Sequence, residues 1–460
     1  MKLRTKFAAA LAVAALTGAI APQAASAGST LNGGGSTFVA NLVDKCRSLY
    51  NADDLANANS DTVSYSATGS GTGKTNFANN TYKWGASDSV YTTGAPSGFV
   101  YVPLVAGAIS VAYRLDGVTP AGSTVRLSNT TVAKIFAGQI KTWNDPLIVA
   151  DNKASVTPAV TKAVKNGVTT VAKKSGTKVS LTVTATASAL KKYAGKKIAF
   201  TKTSTSGKTT KVGTVLALKS KVTATLPYTA GDIYTVKIGT SAVGAVGVDP
   251  ITVGTTLSLP STPIRVAYRS GNSGTTNNFT KYLNATSPTI WTKPASDAFG
   301  SAFPGSVPSD GTFQAATGSD LVANYVKDNN GAVTYVELSY ANDPDRAGKG
   351  VKSALIKNNA GIYTAPTAAT SASFYAEASV DASGVVTADY SVASADAYLI
   401  NAIAYAMVYT ANTPTNLGVK SFLTYVLSTC APNNGPGIGY APLGGTILTK
   451  AVAQVAKIGA

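Results

Sequence analysis

The sequence predicts a mixed α/β protein interrupted by an all-β sandwich, and three observations carry that prediction. Short apolar strand-like runs alternate with helix-spaced segments over most of the chain. Between residues 153 and 256 this rhythm gives way to a lysine-rich block of β-branched runs. Three glycine-rich loops each stand ahead of a helical pattern, as in strand–loop–helix units.

The first 27 residues read as an export signal. Lys2, Arg4 and Lys6 give a positive start, an apolar run extends from Phe7 to Ile20, and Ala25-Ser26-Ala27 forms a small-residue cleavage site. The mature chain is expected to begin near Gly28 and to work in the periplasm or at the cell surface. No cysteine follows the cleavage site, so no lipid anchor is expected. No later segment approaches the roughly 18 unbroken apolar residues of a membrane span.

Composition narrows the chemistry. The 460 residues contain no histidine and only two cysteines. Histidine-based triads, histidine zinc sites and cysteine-rich zinc sites are therefore excluded, and no catalytic residue, metal or cofactor is expected. Val39, Leu42, Val43 and Cys46 share one helical face, as do Val419, Phe422, Leu423, Val426 and Cys430. In an exported chain these thiols fit a Cys46–Cys430 disulfide joining start and end, with two buried free cysteines as the alternative.

The net charge of +18 is unevenly placed. Residues 153–248 hold sixteen lysines against one acid, Asp232, and contribute +15; the leader contributes +3, so the rest of the chain nets to zero. Within the block, "VSLTVTATAS", "KIAFTKTST", "KVGTVLAL", "KVTATLPYT" and "IYTVKIGT" are separated by Gly, Ser and Lys turns, the pattern of a small β-sandwich. It resembles bacterial immunoglobulin-like modules of cell-surface proteins. Its lysines form either a solvated face or a surface for an anionic wall or membrane; nucleic acid is not expected. Outside the block, "GFVYVPLVAGAISVAYRL" and "AYLINAIAYAMVYT" read as strands, and "NTTVAKIFAGQIKTW" and "NNFTKYLN" carry helical spacing.

The three loops are the candidate site. In "GGGSTFVANLVDKC", Ser36 and Thr37 are placed to cap the following helix; "SYSATGSGTGKTNF" presents Ser70 and Gly71; "YRSGNSGTTNNFTKYL" presents Ser273, Gly274 and Thr275. The second ends like a nucleotide-binding P-loop, but Thr68 stands where that motif requires its first glycine. A helix start offers free N–H groups and a positive dipole end, so each loop is either a plain cap or one wall of an anion site. Arg269, four residues before Ser273, can fork two donors onto an oxyanion, and Asp88 in "WGASDSV" is an acid suited to an anion that carries a proton. Lys74 is read as an exposed surface lysine, with a place at the pocket mouth as the alternative.

These motifs together resemble the phosphate-binding proteins of ABC-type phosphate uptake systems, a branch of the bilobal periplasmic-binding-protein superfamily. "GGGSTF" is similar to the family's G-x-G-x-T-F opening, Gly69-Ser70-Gly71 to its G-S-G loop, Gly85–Asp88 to its G-A-S-D, and "RSGNSGT" to its R-x-x-x-S-G-T. "IFAGQIKTWNDP" and "GAVTYVELSYA" match two further segments, in the family's order, across residues 31–152 and 257–460. The resemblance implies that Thr37, Phe38 (through its backbone N–H) and Ser70 bind phosphate oxygens. Arg269, Ser273, Gly274 and Thr275 would grip from the opposite lobe, and Asp88 would accept the proton of phosphate. An acid commonly found two positions after the arginine is here Gly271.

The implied architecture is a two-lobed periplasmic-binding-protein-like α/β fold with a hinge and an inserted immunoglobulin-like sandwich. Lobe one combines residues 28–106 and 396–460, lobe two 107–152 and 257–395, and the insert spans 153–256. The implied partners of this monomer are inorganic phosphate and an ABC transporter permease. The rival readings are a receptor for another tetrahedral oxyanion such as arsenate, and a surface adhesion protein that kept the fold.

Overall fold

The structure is a computed structural model that describes residues 28–157, 161–204, 206–248, 251–253 and 255–460. The export signal read over residues 1–27 lies outside them. Two compact units are present: one takes in the chain up to Asp116 with Leu127–Thr142 and Thr262–Ala460, the other Gly117–Arg126 with Trp143–Ser261. The second unit thus reaches beyond 153–256 at both ends.

The first unit is organised on one ten-stranded sheet. Its strands are β1 (Thr30–Gly35), β2 (Thr62–Ser66), β3 (Trp84–Ser87), β4 (Phe99–Arg114), β5 (Arg265–Arg269), β6 (Phe313–Ala316), β7 (Ala332–Glu337), β8 (Val351–Ser353), β9 (Asn401–Tyr409) and β10 (Tyr440–Ala441). They run in the order β6-β5-β7-β4-β9-β3-β1-β2, with β8 and β10 also paired to β4. Strands β1–β3 are mutually parallel, as are β5–β7, and these form the two lobes. Both lobes are bridged by the antiparallel strands β4 and β9.

The near-continuous apolar sequence of β4 explains its place. Only its two end residues escape full burial, as expected of a strand covered on both faces. It pairs with β9 from Phe99 to Ala108 and with β7 from Ile109 to Tyr113, so one strand passes from lobe to lobe. Pro103 cannot donate to the ladder, and the β4–β9 register shifts beside it, between Ala404 and Tyr405. The β-strands predicted at 98–115 and 397–410 are thus the two crossing strands.

Helices α1 (Ala40–Asn51), α2 (Ser70–Ala78), α3 (Asn129–Phe136), α4 (Gly274–Thr286), α5 (Gly318–Asp328), α6 (Pro414–Tyr425) and α7 (Gly445–Ala456) cover the sheet. The helical spacing predicted across "NTTVAKIFAGQIKTW" ends early, at Phe136, because Gly138 turns the chain at φ +68°. Cys46 of α1 is bonded to Cys430 in the π-helical turn that continues α6, with Cα atoms 5.6 Å apart across a sequence separation of 384. Both predicted cysteine faces are buried. Tyr50 of α1 packs edge-on against Phe422 of α6, and Phe422 meets Trp84 of β3, so the chain's two ends share one aromatic core. Among the described residues no helix is long and apolar enough to cross a membrane.

The second unit contains two four-stranded antiparallel sheets. One runs Lys221–Pro227, Lys178–Ala185, Val168–Ser175, Lys162–Lys165; the other Thr209–Ala217, Lys197–Thr203, Ile233–Ile238, Ser241–Val246. Alternate residues, including Leu181, Val183, Ile198, Phe200 and Val236, meet in a shared core. All five predicted runs are strands; 162–165, 168–175 and 241–246 were not foreseen, because Thr, Lys and Gly dilute their alternation. Tyr234 is buried and donates its hydroxyl to the Pro227 carbonyl (2.7 Å), the geometry of a tyrosine corner. Strands Ser155–Thr157 and Ile251–Val253 pair antiparallel where the chain enters and leaves.

Candidate functional site

The site is built where strand ends of both lobes turn into helices. Beyond β1, the Ser36 amide bonds to the Ala86 carbonyl (2.8 Å), fixing the first loop beside the end of β3. The capping expected of Ser36 and Thr37 is met only in part: the N-cap of α1 is Val39, without a side-chain cap bond of its own, and the Ser36 hydroxyl accepts from the Val39 amide (3.4 Å). Both hydroxyls also turn inward. Ser36 Oγ donates to Asp88 Oδ1 (2.5 Å), and Thr37 Oγ1 meets Ser319 Oγ (2.8 Å). The carbonyls of Thr37 and Phe38 accept from Tyr340 (3.0 Å) and Tyr440 (2.6 Å), which leaves this loop braced from both lobes.

The second loop brings Ser70, first residue of α2, to Asp88: its hydroxyl lies 3.3 Å from both Oδ2 and the Asp88 amide. The third brings Ser273 and Gly274. Ser273 is the N-cap of α4, its hydroxyl accepting from the Thr276 amide (3.2 Å). Gly274 is required by close approach, since a Cβ there would stand 2.7 Å from Asp88 Cβ and from Ser70 Oγ. Asn278, one turn into α4, donates to the Asp88 carbonyl (2.6 Å). Asp88, Ser70 and the start of α4 thus converge from both lobes.

Arg269, at the end of β5, is 5% exposed. Its backbone amide bonds to Tyr335 (3.2 Å) and its Nη1 reaches Ser319 Oγ (3.4 Å). Two buried polar atoms here have no hydrogen-bond partner: Arg269 Nε and Thr275 Oγ1. Such orphaned donors are costly, at roughly 1–3 kcal/mol each and more for a charged group, unless a ligand satisfies them. A Cβ at Gly271 would meet nothing within 4 Å, so the position where the resemblance leads one to expect an acid is open space.

Burial pushes the Asp88 carboxyl up to about 7, against the opposing pull of Ser36, Arg269 and Ser70. Burial likewise holds the Arg269 guanidinium below its ordinary range, while Tyr335 and Asp88 oppose that shift. A neighbouring carboxyl, Glu337 at the end of β7, is fully buried and rises to about 8, chiefly by desolvation. Ser339 and Tyr440 hydrogen-bond to it.

All eight residues predicted for the site lie at these converging strand ends, loops and helix starts. Sequence reasoning missed Ser319, Asn278, Tyr335, Tyr340 and Tyr440. Ser319 was detectable, because "ATGSDLV" repeats the Gly-Ser-before-helix signature of the other loops. Lys74 is not an exposed surface lysine. Its side chain is 13% exposed and pairs with Asp297 of the opposite lobe (2.8 Å), with Ser89 Oγ and the Val90 carbonyl completing its shell. Among the described residues no cluster of His, Cys, Asp or Glu could hold a metal ion.

Known proteins resemble this chain in sequence and in fold. Phosphate-binding protein PstS2 of Mycobacterium bovis BCG is 26% identical over 310 residues, which cover 65% of this chain and 51% of the relative. Phosphate-binding protein PstS 3 of Mycobacterium leprae is 34% identical over 138 residues, 28% of this chain and 35% of the relative. The chain therefore spans about half or less of these curated relatives. In fold, the ancestral soluble variant of the Human Phosphate Binding Protein superposes with a TM-score of 0.54 at 20% identity, covering 92% of this chain and 93% of its own. The high-affinity periplasmic phosphate-binding protein PfluDING gives 0.50 at 19% identity, covering 93% and 92%. The family profile for a PBP superfamily domain matches residues 21–251 and 148–429. With that match spanning most of its length, and with two α/β lobes bridged by crossing strands, the chain belongs to the PBP superfamily.

Proposed function

We propose that the chain is an extracytoplasmic receptor that captures inorganic phosphate between its lobes and delivers it to an ABC transporter permease. One observation carries this reading: a buried acid, Asp88, stands among hydroxyl donors near a buried arginine whose Nε, like the Thr275 hydroxyl, has no partner. An anion alone would be repelled by a carboxylate. An anion that carries a proton turns the acid into a partner.

In this reading Ser36 holds Asp88 Oδ1, leaving Oδ2 to accept the proton of monohydrogen phosphate. Ser70, Thr37, Thr275 and the Arg269 fork donate to the other oxygens, with the starts of α2 and α4 supplying N–H groups. Ser273 already accepts from the Thr276 amide, so its own proton is available to the ligand. Sulfate, fully ionised at neutral pH, would set acceptor against acceptor in a buried site. No bond is made or broken; the work is capture and release by a monomer. The inserted sandwich is read as immunoglobulin-like, supported by its tyrosine corner and its two-sheet order.

Calorimetric titration of residues 28–460 with phosphate and with sulfate at pH 7.5, repeated for Arg269→Ala, tests the proposal. One-to-one phosphate binding, absent with sulfate and lost in the variant, is expected. A folded protein that binds neither anion would sink it.

A further inference from the structure

The second unit has a charge pattern that anion capture at the lobes does not use. Between residues 161 and 248 the sequence holds fifteen lysines, no arginine and a single acid, Asp232. That acid is buried and paired with Lys202 (2.7 Å), so the described surface of the sandwich carries no carboxylate. All of these lysines except Lys202 and Lys237 are exposed. Self-repulsion of this kind opposes folding and gives nothing back within the molecule.

One face arranges the charge. In the sheet containing Lys178–Ala185, the buried set Val179, Leu181 and Val183 points to the core, so residues 178, 180, 182 and 184 face outward. The register then sets Thr184 beside Thr169 and Lys221, Thr182 beside Thr223 and Val171, and Ser180 beside Thr225 and Lys173. Lys162 pairs with Val171 at the edge, and Lys178 with Pro227 below. The result is a grid of six hydroxyls bounded by four lysines. Neighbouring strands stand about 4.8 Å apart and successive outward residues about 6.7 Å apart, a spacing that suits an extended chain.

We propose that this hydroxyl-and-lysine face docks a linear polyol-phosphate polymer, in which anionic groups alternate with hydroxyl-bearing units. Lysine is a compact point charge that suits diffuse phosphodiester contact, whereas bidentate reading of bases calls on arginine. Bases also need exposed aromatic faces, and the rings here are withdrawn: Tyr193, Phe200 and Tyr234 are buried, and Tyr228 lies beneath Lys174. The grid itself offers donors and acceptors to the polymer's hydroxyls.

The test uses residues 28–460, with poly(glycerol phosphate) as probe. Two quadruple variants remove the same charge: one on the face (K162Q, K173Q, K178Q, K221Q), one elsewhere on the sandwich (K191Q, K192Q, K208Q, K219Q). The face variant should weaken binding by about tenfold or more at low salt and reduce the slope of log affinity against log salt by about 3, at about 0.7 per lost contact. The other variant should change affinity by less than about threefold, a small part of that slope. T182V/T223V should weaken binding with the charge unchanged. Equal losses in both quadruple variants, absence of binding, or equally tight binding of single-stranded DNA or phosphatidylglycerol vesicles would overturn the proposal. Phosphate titration of every variant should match the parent, which separates this outcome from any failure of the receptor reading.

Discussion

Replacing Asp88 by asparagine isolates the acid on which the phosphate reading turns. Its folded pKa of about 7 lies above the ordinary value of 3.8, so the folded chain holds a proton that the unfolded chain releases between those values. The unfolded state then binds fewer protons, and stability falls as pH rises from about 4 to about 7. A shift of about three units corresponds to roughly 4 kcal/mol at about 1.4 kcal/mol per unit. Asparagine abolishes that penalty and keeps an oxygen for Ser36 and an amide beside Ser70. The value of about 7 already includes the help that Ser36, Arg269 and Ser70 give the ionised form, so the variant should be up to about 4 kcal/mol more stable than the parent at pH 8, and no more stable at pH 4. Phosphate-free urea melts at both values measure this. The same substitution replaces an acceptor by a donor, so Asp88→Asn should gain sulfate binding while losing preference for phosphate. An identical stability difference at pH 4 and pH 8 would refute the buried-acid argument, and continued rejection of sulfate would refute its role in selection.

Further outcomes follow from the same geometry. In the parent protein, sulfate binding should appear as pH falls below about 7 and Asp88 takes up its proton, which calorimetry at pH 5.5 and 8 would detect. Lys74→Met should weaken phosphate binding by about threefold to tenfold, mostly through faster release, because a largely buried pair between the lobes is worth about 1 kcal/mol. Lys74→Met/Asp297→Asn should recover part of the loss; stopped-flow release rates showing no recovery would remove the pair from the account. Glu337→Gln should raise stability at pH 9 but not at pH 5, since the parent's carboxyl must ionise above about 8. Cys46→Ser/Cys430→Ser should cost about 2–5 kcal/mol in a denaturant melt, because the bridge closes a loop of 384 residues.

The site was legible where short motifs combine fixed spacing with one chemistry. Gly85–Asp88 and Arg269–Thr275 could be read because glycine, hydroxyl and charge fall within a few residues of one another. Tyr340 and Tyr440 could not, because their hydroxyls reach the first loop from about 300 and 400 positions away and carry no local signature. Lys74 was misread for a related reason: a lysine beside a glycine-rich loop looks solvated until Asp297 is brought to it from another lobe. Ser36 and Thr37 have the sequence of a cap, but only Ser36 reaches the helix start, at the Val39 amide, and the protons of both hydroxyls go to tertiary partners that carry no local signature. In the sandwich, alternation revealed central and edge strands alike, while the central strand Val168–Ser175 was hidden by adjacent threonines and lysines and the edge Ser241–Val246 by its small residues.

Strand β4 has a mechanical consequence. The lobes are joined by a 16-residue strand, about 50 Å long, clamped by backbone bonds to β9 on one side and β7 on the other. Such a joint is a torsion bar rather than a string. It resists shear, yields by small changes of twist spread over many residues, and returns when the load is removed. Separating the lobes should therefore leave the amides of Phe99–Ala108 as slow to exchange as before. The elastic stiffness of that ribbon, more than any loose linker, would set how far the cleft opens and how quickly it shuts again.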